Sequence, residues 1–157
     1  MILYLLRHAE AVDRAKSDAA RELTEKGMLQ ARKVGKFCAR NEIEPDLILS
    51  SPLRRAEQTA RLASEEIKGS EVEVLSFLES GMQPEAALNK LKSYAKLKSV
   101  MIVGHEPDFS RLICAMIGIA SEPGIHLRKA SLTMLTVRAF RPGAATLEFA
   151  IPVKLMK

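Results

Sequence analysis

The sequence predicts an α/β fold: a three-layer arrangement with a mostly parallel central sheet, helices on both faces and an antiparallel edge. Three observations carry this. Residues 2–6, 47–49 and 100–103 are uninterrupted apolar runs that stop at polar or small residues, the pattern of strands covered on both faces. Between them lie segments of helical period. Near the end, two strand-like segments flank the turn Arg141-Pro142-Gly143, which reads as an antiparallel hairpin. Strands that alternate with helices pack as a parallel sheet between two helical layers.

Taken in order, the first strand, residues 2–6, ends at Arg7. Its apolar run is far too short for a secretion signal or a membrane span, so a cytoplasmic protein with no membrane partner is expected. A helix over residues 25–40 has Thr24 as its N-cap and turns Met28, Ala31, Val34 and Cys38 inward. Gly27 and Gly35 weaken its intrinsic propensity. After the strand at 47–49, Leu53, Ala56, Ala60, Ala63 and Ile67 draw one helical stripe, with Ser51 as N-cap and Pro52 at the first helical position. The connection over residues 69–83 is short and leaves no room for a large lid. Pro84 opens a helix with Ala87, Leu88, Leu91 and Ala95 inward. After the strand at 100–103, Pro107 opens another, with Phe109, Leu112, Ile113, Met116 and Ile117 inward. Residues 131–137 and 146–151 are the late strands, and Leu147, Phe149 and Ile151 alternate as in an edge strand with one buried face.

A chain of 157 residues with 47% hydrophobic content fits a single domain spanning residues 1–157 with one core. No repeat, low-complexity tract or linker marks a boundary. The net charge of +5 favours anionic partners only modestly. Nucleic acid is disfavoured, because aromatic residues make up 4%, Trp is absent and no run of five basic residues occurs. Cys38 and Cys114 lack neighbours at metal-ligand spacing and read as reduced core residues. No carboxylate cluster at metal spacing appears, so no metal or other cofactor is expected. Oligomeric state is left open, a monomer being the expectation.

In parallel α/β sheets chemistry gathers at the carboxyl ends of the strands. Arg7 and His8 follow the first strand, residues 50–55 the second, and His105 the one at 100–103. Alone, Arg7-His8 is a charged strand end with a structural histidine. Two adjacent arginines, Arg54 and Arg55, in a first helical turn oppose the helix dipole, a conflict that a bound anion removes. Val103-Gly104-His105-Glu106-Pro107 repeats the pattern of strand, close-approach glycine, histidine and helix-starting proline. His126, in the stretch Pro123-Gly124-Ile125-His126, reads as a surface or structural residue.

Leu6-Arg7-His8, Arg21-Glu22-Leu23-Thr24 with Gly27 after it, Ser51-Pro52 through Thr59, and Val103-Gly104-His105 occur in the order seen in the histidine phosphatase superfamily. The resemblance covers nearly the whole chain. It is most similar to the small protein histidine phosphatases of the SixA type, and it implies a phosphoglycerate mutase-like fold. Residue by residue, the resemblance implies that His8 is the nucleophile, that Arg7 and Arg55 hold the phosphoryl oxygens and that His105 completes the pocket. Arg21 would add a contact to phosphate or substrate, and Ser51 a cap or an indirect phosphate contact. The pattern Ser-Pro-x-x-Arg-Ala-x-Gln-Thr selects Arg55 over Arg54, which helical periodicity does not.

Such a cluster suits phosphoryl transfer, whose transition state spreads negative charge over the non-bridging oxygens. Arginine forks donate paired hydrogen bonds and keep their charge. A nucleophilic imidazole needs one neutral nitrogen, and a covalent intermediate divides hydrolysis into two easier steps. Ester-cleaving relatives use a carboxylic acid to protonate the leaving oxygen, for which Glu106 and Glu79 are the candidates here. A histidine ring leaves as neutral imidazole without a dedicated acid, so phosphohistidine on a protein is the expected substrate. The alternatives are a small phosphorylated molecule, cleaved by a phosphomonoesterase of the same superfamily, and a non-catalytic phosphate-binding module.

Overall fold

The uninterrupted apolar runs become the inner strands of one six-stranded sheet in the computed structural model, which describes residues 1–67, 70–119 and 124–157. Along the chain the elements are β1 (Ile2–Arg7), α1 (Glu25–Arg40), β2 (Leu47–Ser50), α2 (Arg54–Ser64), β3 (Val72–Val74), α3 (Pro84–Leu91), β4 (Ser99–Gly104), α4 (Asp108–Ile117), β5 (Leu132–Val137) and β6 (Ala145–Ile151). The strand order is β3-β2-β4-β1-β5-β6. β3, β2, β4 and β1 run parallel, while β5 is antiparallel to β1 and β6 to β5. The positions at which the predicted connection begins, Gly69, and the His126 loop begins, Pro123, lie outside the described residues.

Alternation along β1 builds the two cores. Leu3 and Leu5 join Val100, Ile102, Leu88, Leu91, Phe109 and Leu112 on one face; Tyr4 and Leu6 join Met101, Val103, Ala31, Val34, Ala56 and Ala60 on the other. Each fully buried Leu of this kind contributes about 1.5–3 kcal/mol. Cys38 and Cys114 are both buried, and burial pushes the Cys38 thiol up to about 12. Among the described residues, no helix is long and apolar enough to cross a membrane.

The glycines of α1 are contact points. A Cβ at Gly27 would run into the carbonyl of Glu10, and one at Gly35 into the carbonyl of Ala63, with Glu66 Cβ only 2.8 Å away. With Gly27 turned inward, Met28, rotated about 100° onward, faces out at 39% exposure instead of joining the core. Thr24 does cap α1, accepting from Gly27 N at 3.0 Å.

Other sequence expectations are corrected. Ser51 is not the N-cap of α2 and Pro52 lies before the helix: Leu53 holds the cap position, and no side chain closes it. Ala95 is exposed because α3 ends at Leu91 and continues as the 3-10 turn Lys92–Tyr94, whose tighter winding rotates the stripe. On β6, Leu135 faces Leu147 but Met134 faces Phe149, so a bulge inserts one residue and switches the faces. Phe149 and Ile151 therefore pack against the core shared with α1 and α2, while Leu147 is left 38% exposed. The connection before α3 also contains β3, whose three residues are too few to show a period.

Gly27→Ala provides a test of the close approach of α1. Helix propensity alone would stabilise the variant by about 1 kcal/mol. We expect instead a loss of about 1–3 kcal/mol, from overpacking against a backbone carbonyl that has nowhere to move. It should appear as a lower urea midpoint with an unchanged m-value.

Candidate active site

The ends of β1, β2 and β4 meet through backbone bonds that continue past the sheet. His8 N donates to Gly104 O at 2.9 Å and Ser51 N to Val103 O at 2.9 Å, which brings His8, Ser51 and His105 to one edge. The two imidazoles lie with centroids 5.3 Å apart and planes inclined by 53°. Both are buried.

His8 Nδ1 lies 2.8 Å from the carbonyl of Ala9. A carbonyl only accepts, so Nδ1 carries the proton and Nε2 keeps its lone pair. Burial, reinforced by His105, Arg55 and Arg7, lowers the His8 pKa to about 3, against the opposing Ala9 bond. Burial and Arg55 lower that of His105 to about 4, with Asp18 opposing. Thr59 fixes the turn after His8, its Oγ1 accepting from Ala9 N at 3.0 Å and donating to Arg55 O at 2.7 Å.

His105 is held by a relay. Leu53 N donates to Ser51 Oγ at 3.3 Å, and Ser51 Oγ lies 2.7 Å from His105 Nε2. With its oxygen accepting from Leu53, the hydroxyl is free to donate its proton to Nε2, which leaves the proton of a neutral ring on Nδ1. Ser51 thus orients the second histidine rather than capping a helix.

The arginines are fixed from behind. Arg7 Nη1 donates to Leu127 O at 2.6 Å, and burial lowers the Arg7 pKa while Glu106 opposes. Arg55, 5% exposed, donates from Nη1 to Asp18 O at 2.8 Å and from Nη2 to Asp18 Oδ2 at 3.0 Å. Arg21 reaches the same carboxylate through Nη1 at 3.0 Å, and its Nε donates to Val12 O. The bonds from Arg21 and then Arg55 hold the Asp18 carboxyl below its ordinary pKa. Arg54 faces away, paired with Glu22 at 3.1 Å. Arg7 Nε, Arg55 Nε and His105 Nδ1 are buried without a hydrogen-bond partner in the protein. Buried donors are rarely left so, and these belong to the three residues whose charges act on His8, an arrangement suited to an anion.

The carboxylate candidates separate. Glu106 accepts from Ser110, its oxygens 2.7 and 2.8 Å from Ser110 Oγ and one of them 3.3 Å from Ser110 N. It lines a cavity of about 360 Å³ together with Arg7, Ser110, Ile125 and the exposed His126. Glu79 is exposed in a turn after the 3-10 segment Ser76–Leu78, and no hydrogen bond ties its side chain to either histidine. The following backbone is held by buried Asp108, which accepts from Gly81 N at 2.8 Å and Met82 N at 3.2 Å. Asp18 and Asp108 escaped the sequence reading. Asp18 sits in an irregular loop with no periodic signal, whereas Asp108, a carboxylate in a first helical turn, left a weak one. Among the described residues, no three His, Cys, Asp or Glu side chains are grouped to hold a metal ion.

Comparison with known proteins gives a consistent picture. The profile of the histidine phosphatase superfamily (branch 1) matches residues 3–81. The mitochondrial serine/threonine-protein phosphatase Pgam5 of Drosophila mojavensis is 26% identical over 167 aligned residues, which cover 86% of this chain and 58% of that protein. The chain thus spans little more than half the length of that curated relative. The protein histidine phosphatase SixA complexed with tungstate has the same fold, with a TM-score of 0.89 over 100% of both chains at 23% identity. A protein from Agrobacterium tumefaciens assigned as a SixA phosphohistidine phosphatase superposes with a TM-score of 0.81 over 96% of both chains at 28% identity.

The lowered histidine pKa values link folding to pH. The unfolded chain protonates each ring near 6.5, but the folded chain does so only near 3 for His8 and 4 for His105. Stability is therefore fully present above 6.5 and falls as pH drops, by at most about 1.4 kcal/mol per pH unit per ring. Urea unfolding between pH 6.5 and 4 should show this slope, and His8→Ala should remove one ring's share of it. An identical slope in the variant would contradict the buried neutral state of His8.

Proposed function

Because the chain belongs to the histidine phosphatase superfamily, we propose that it is a metal-independent phosphatase that forms a phosphohistidine at His8 and acts on phosphohistidine of a protein. The observation that carries this is the set of three buried, unpartnered nitrogens, Arg7 Nε, Arg55 Nε and His105 Nδ1, on the three residues whose charges act on His8, a ring that keeps its Nε2 lone pair. The lone pair on Nε2 attacks phosphorus while the Ala9 bond holds Nδ1–H. The three donors take the non-bridging oxygens, on which charge accumulates in the transition state, and the fixed cations do there what a metal ion does elsewhere. Water then releases phosphate from His8. Ser51 acts through His105, and Arg21 acts at the rim through Asp18.

The substrate class follows from how poorly the leaving group is protonated. Glu79 is exposed, and Glu106 is engaged by Ser110. An alkoxide leaves badly from such a site, whereas imidazole leaves well. Among the described residues, the segment between α2 and β4 adds β3, short 3-10 turns and α3, a small insertion that supports an approach open to a protein side chain.

The test is turnover of a phosphohistidine protein against phosphoserine and aryl phosphates with EDTA present. Phosphohistidine should be cleaved far faster than phosphoserine, and EDTA should not matter. Acid-labile phosphate should be trapped on the wild type and be absent from His8→Ala, which should show no turnover. Activity lost in EDTA and restored by magnesium, or undiminished in His8→Ala, would refute the mechanism. Efficient cleavage of alkyl phosphates would move the assignment to a small-molecule phosphomonoesterase.

The arginines give a second test. Arg55→Ala should lower kcat/KM by about 100- to 1,000-fold, the loss expected for one donor to a developing oxyanion. Arg55→Lys should not restore it, because the fork to Asp18 and the inward Nε–H are both lost. Arg54→Ala should change kcat/KM by less than about threefold, as expected for an exposed pair. The reverse ranking would mean that the two arginines have been assigned in the wrong order.

A further inference from the structure

The cavity beside Arg7 has a charge pattern that a phosphate pocket alone does not require. Its lining combines the cation of Arg7 and the carboxylate of Glu106 with the apolar side chain of Ile125. Glu106 follows His105 directly, and its charge acts on Arg7. The N–H of buried Ser110 donates to the carboxylate, and its hydroxyl lies closer to both carboxylate oxygens, at 2.7 and 2.8 Å, than to Ile125 O at 3.2 Å, which holds the carboxylate in place as an acceptor. A group in that position is built to receive a proton donor from the substrate.

Resting on the reading of the enzyme as a phosphohistidine phosphatase, we propose that this cavity is the leaving-group subsite and that Glu106 binds the N–H of a protonated imidazole. An N-phosphoimidazole protonated on its distal nitrogen is a zwitterion, with a negative phosphoryl group and a positive ring. Arg7 and Arg55 match the negative end, and Glu106 matches the positive end. When His8 Nε2 forms its bond to phosphorus, the P–N bond to the substrate ring breaks and its electron pair returns to the ring nitrogen. The ring departs as neutral imidazole and keeps the proton already on its distal nitrogen. No proton has to reach the breaking bond, so no general acid is needed. A phosphoserine offers Glu106 neither a positive charge nor an N–H, and its oxygen would leave unprotonated. Glu106 therefore selects for P–N substrates by the same property that unfits it as a proton donor to P–O substrates.

The experiment compares kcat/KM for phosphoimidazole with that for p-nitrophenyl phosphate in the wild type, Glu106→Gln and Ser110→Ala. The ratio should fall at least about tenfold in Glu106→Gln, the effect expected from losing one charge-assisted hydrogen bond. It should fall by a smaller factor in Ser110→Ala, in which the carboxylate is present but no longer held. Thermal melting of both variants checks that each is folded, and either one folded suffices to read the ratio. A ratio within about twofold of wild type, whether both rates drop together or neither does, would overturn the subsite. A ratio that rises would overturn it as well, because it would make Glu106 an acid for the ester. If the wild type cleaves p-nitrophenyl phosphate but not phosphoimidazole, the phosphohistidine reading itself fails. If it cleaves both and only the variant ratio stays fixed, that reading stands and the role of Glu106 falls alone.

Discussion

The hydrogen bond from His8 Nδ1 to the Ala9 carbonyl is the constraint around which the site is arranged. It keeps the proton on one nitrogen and exposes the lone pair of the other, and it does so at the end of a strand whose direction the sheet dictates. The neighbouring bonds fix the backbone that carries the ring. Ala9 N is fastened to Thr59, and the carbonyls of Arg7 and His8 both receive Ala130 N. Burial among fixed cations then keeps the ring neutral far below the ordinary histidine pKa. Under the proposed mechanism, the ring then need lose no proton before it attacks.

Precision at that point depends on how tightly the helical layer sits. α1 and α2 touch through glycines and alanines, and Gly27 meets the backbone of Glu10, two residues beyond His8. Thr24 couples the same places again, since its N donates to Glu10 O and its hydroxyl caps the helix. Larger residues in these positions would lift α1 away from the loop that follows His8. Packing density and the geometry around His8 are thus one property here, because the interior is close-packed and small displacements propagate.

The cations show how a surface loop can serve a buried group. Asp18 has an exposed side chain, yet its carboxylate and its backbone carbonyl together occupy both Nη atoms of Arg55. This orients the plane of a nearly buried guanidinium and leaves the unpartnered Nε on the inner side. The same carboxylate draws Arg21 into the group. Ser51 does the equivalent for His105, passing on a hydrogen bond that begins at Leu53 N.

What the sequence determined by itself were the features set by local patterning. The apolar runs fixed the inner strands because a strand covered on both faces tolerates no polar position, and the end of each run marked where Arg7, His8 and His105 would emerge. The spacing of Ala56, Ala60 and Ala63 fixed the buried face of α2 for a similar reason, and motif order singled out Arg55, which the fold buries while Arg54 faces outward. What only the tertiary structure decided were the contacts between distant segments. Its position before a helix suggests a cap or an indirect phosphate contact for Ser51, and the fold instead bonds it to a histidine 54 positions away. Asp18 carried no signal at all, since its partner Arg55 lies 37 positions on. The inward turn of Gly27 at the cost of Met28, the bulge that reverses the faces of β6 and the clamp of Ser110 on Glu106 likewise depend on which surfaces meet. Local sequence sets period and chain direction, but the partner of a polar group is chosen by the packing that removes it from water.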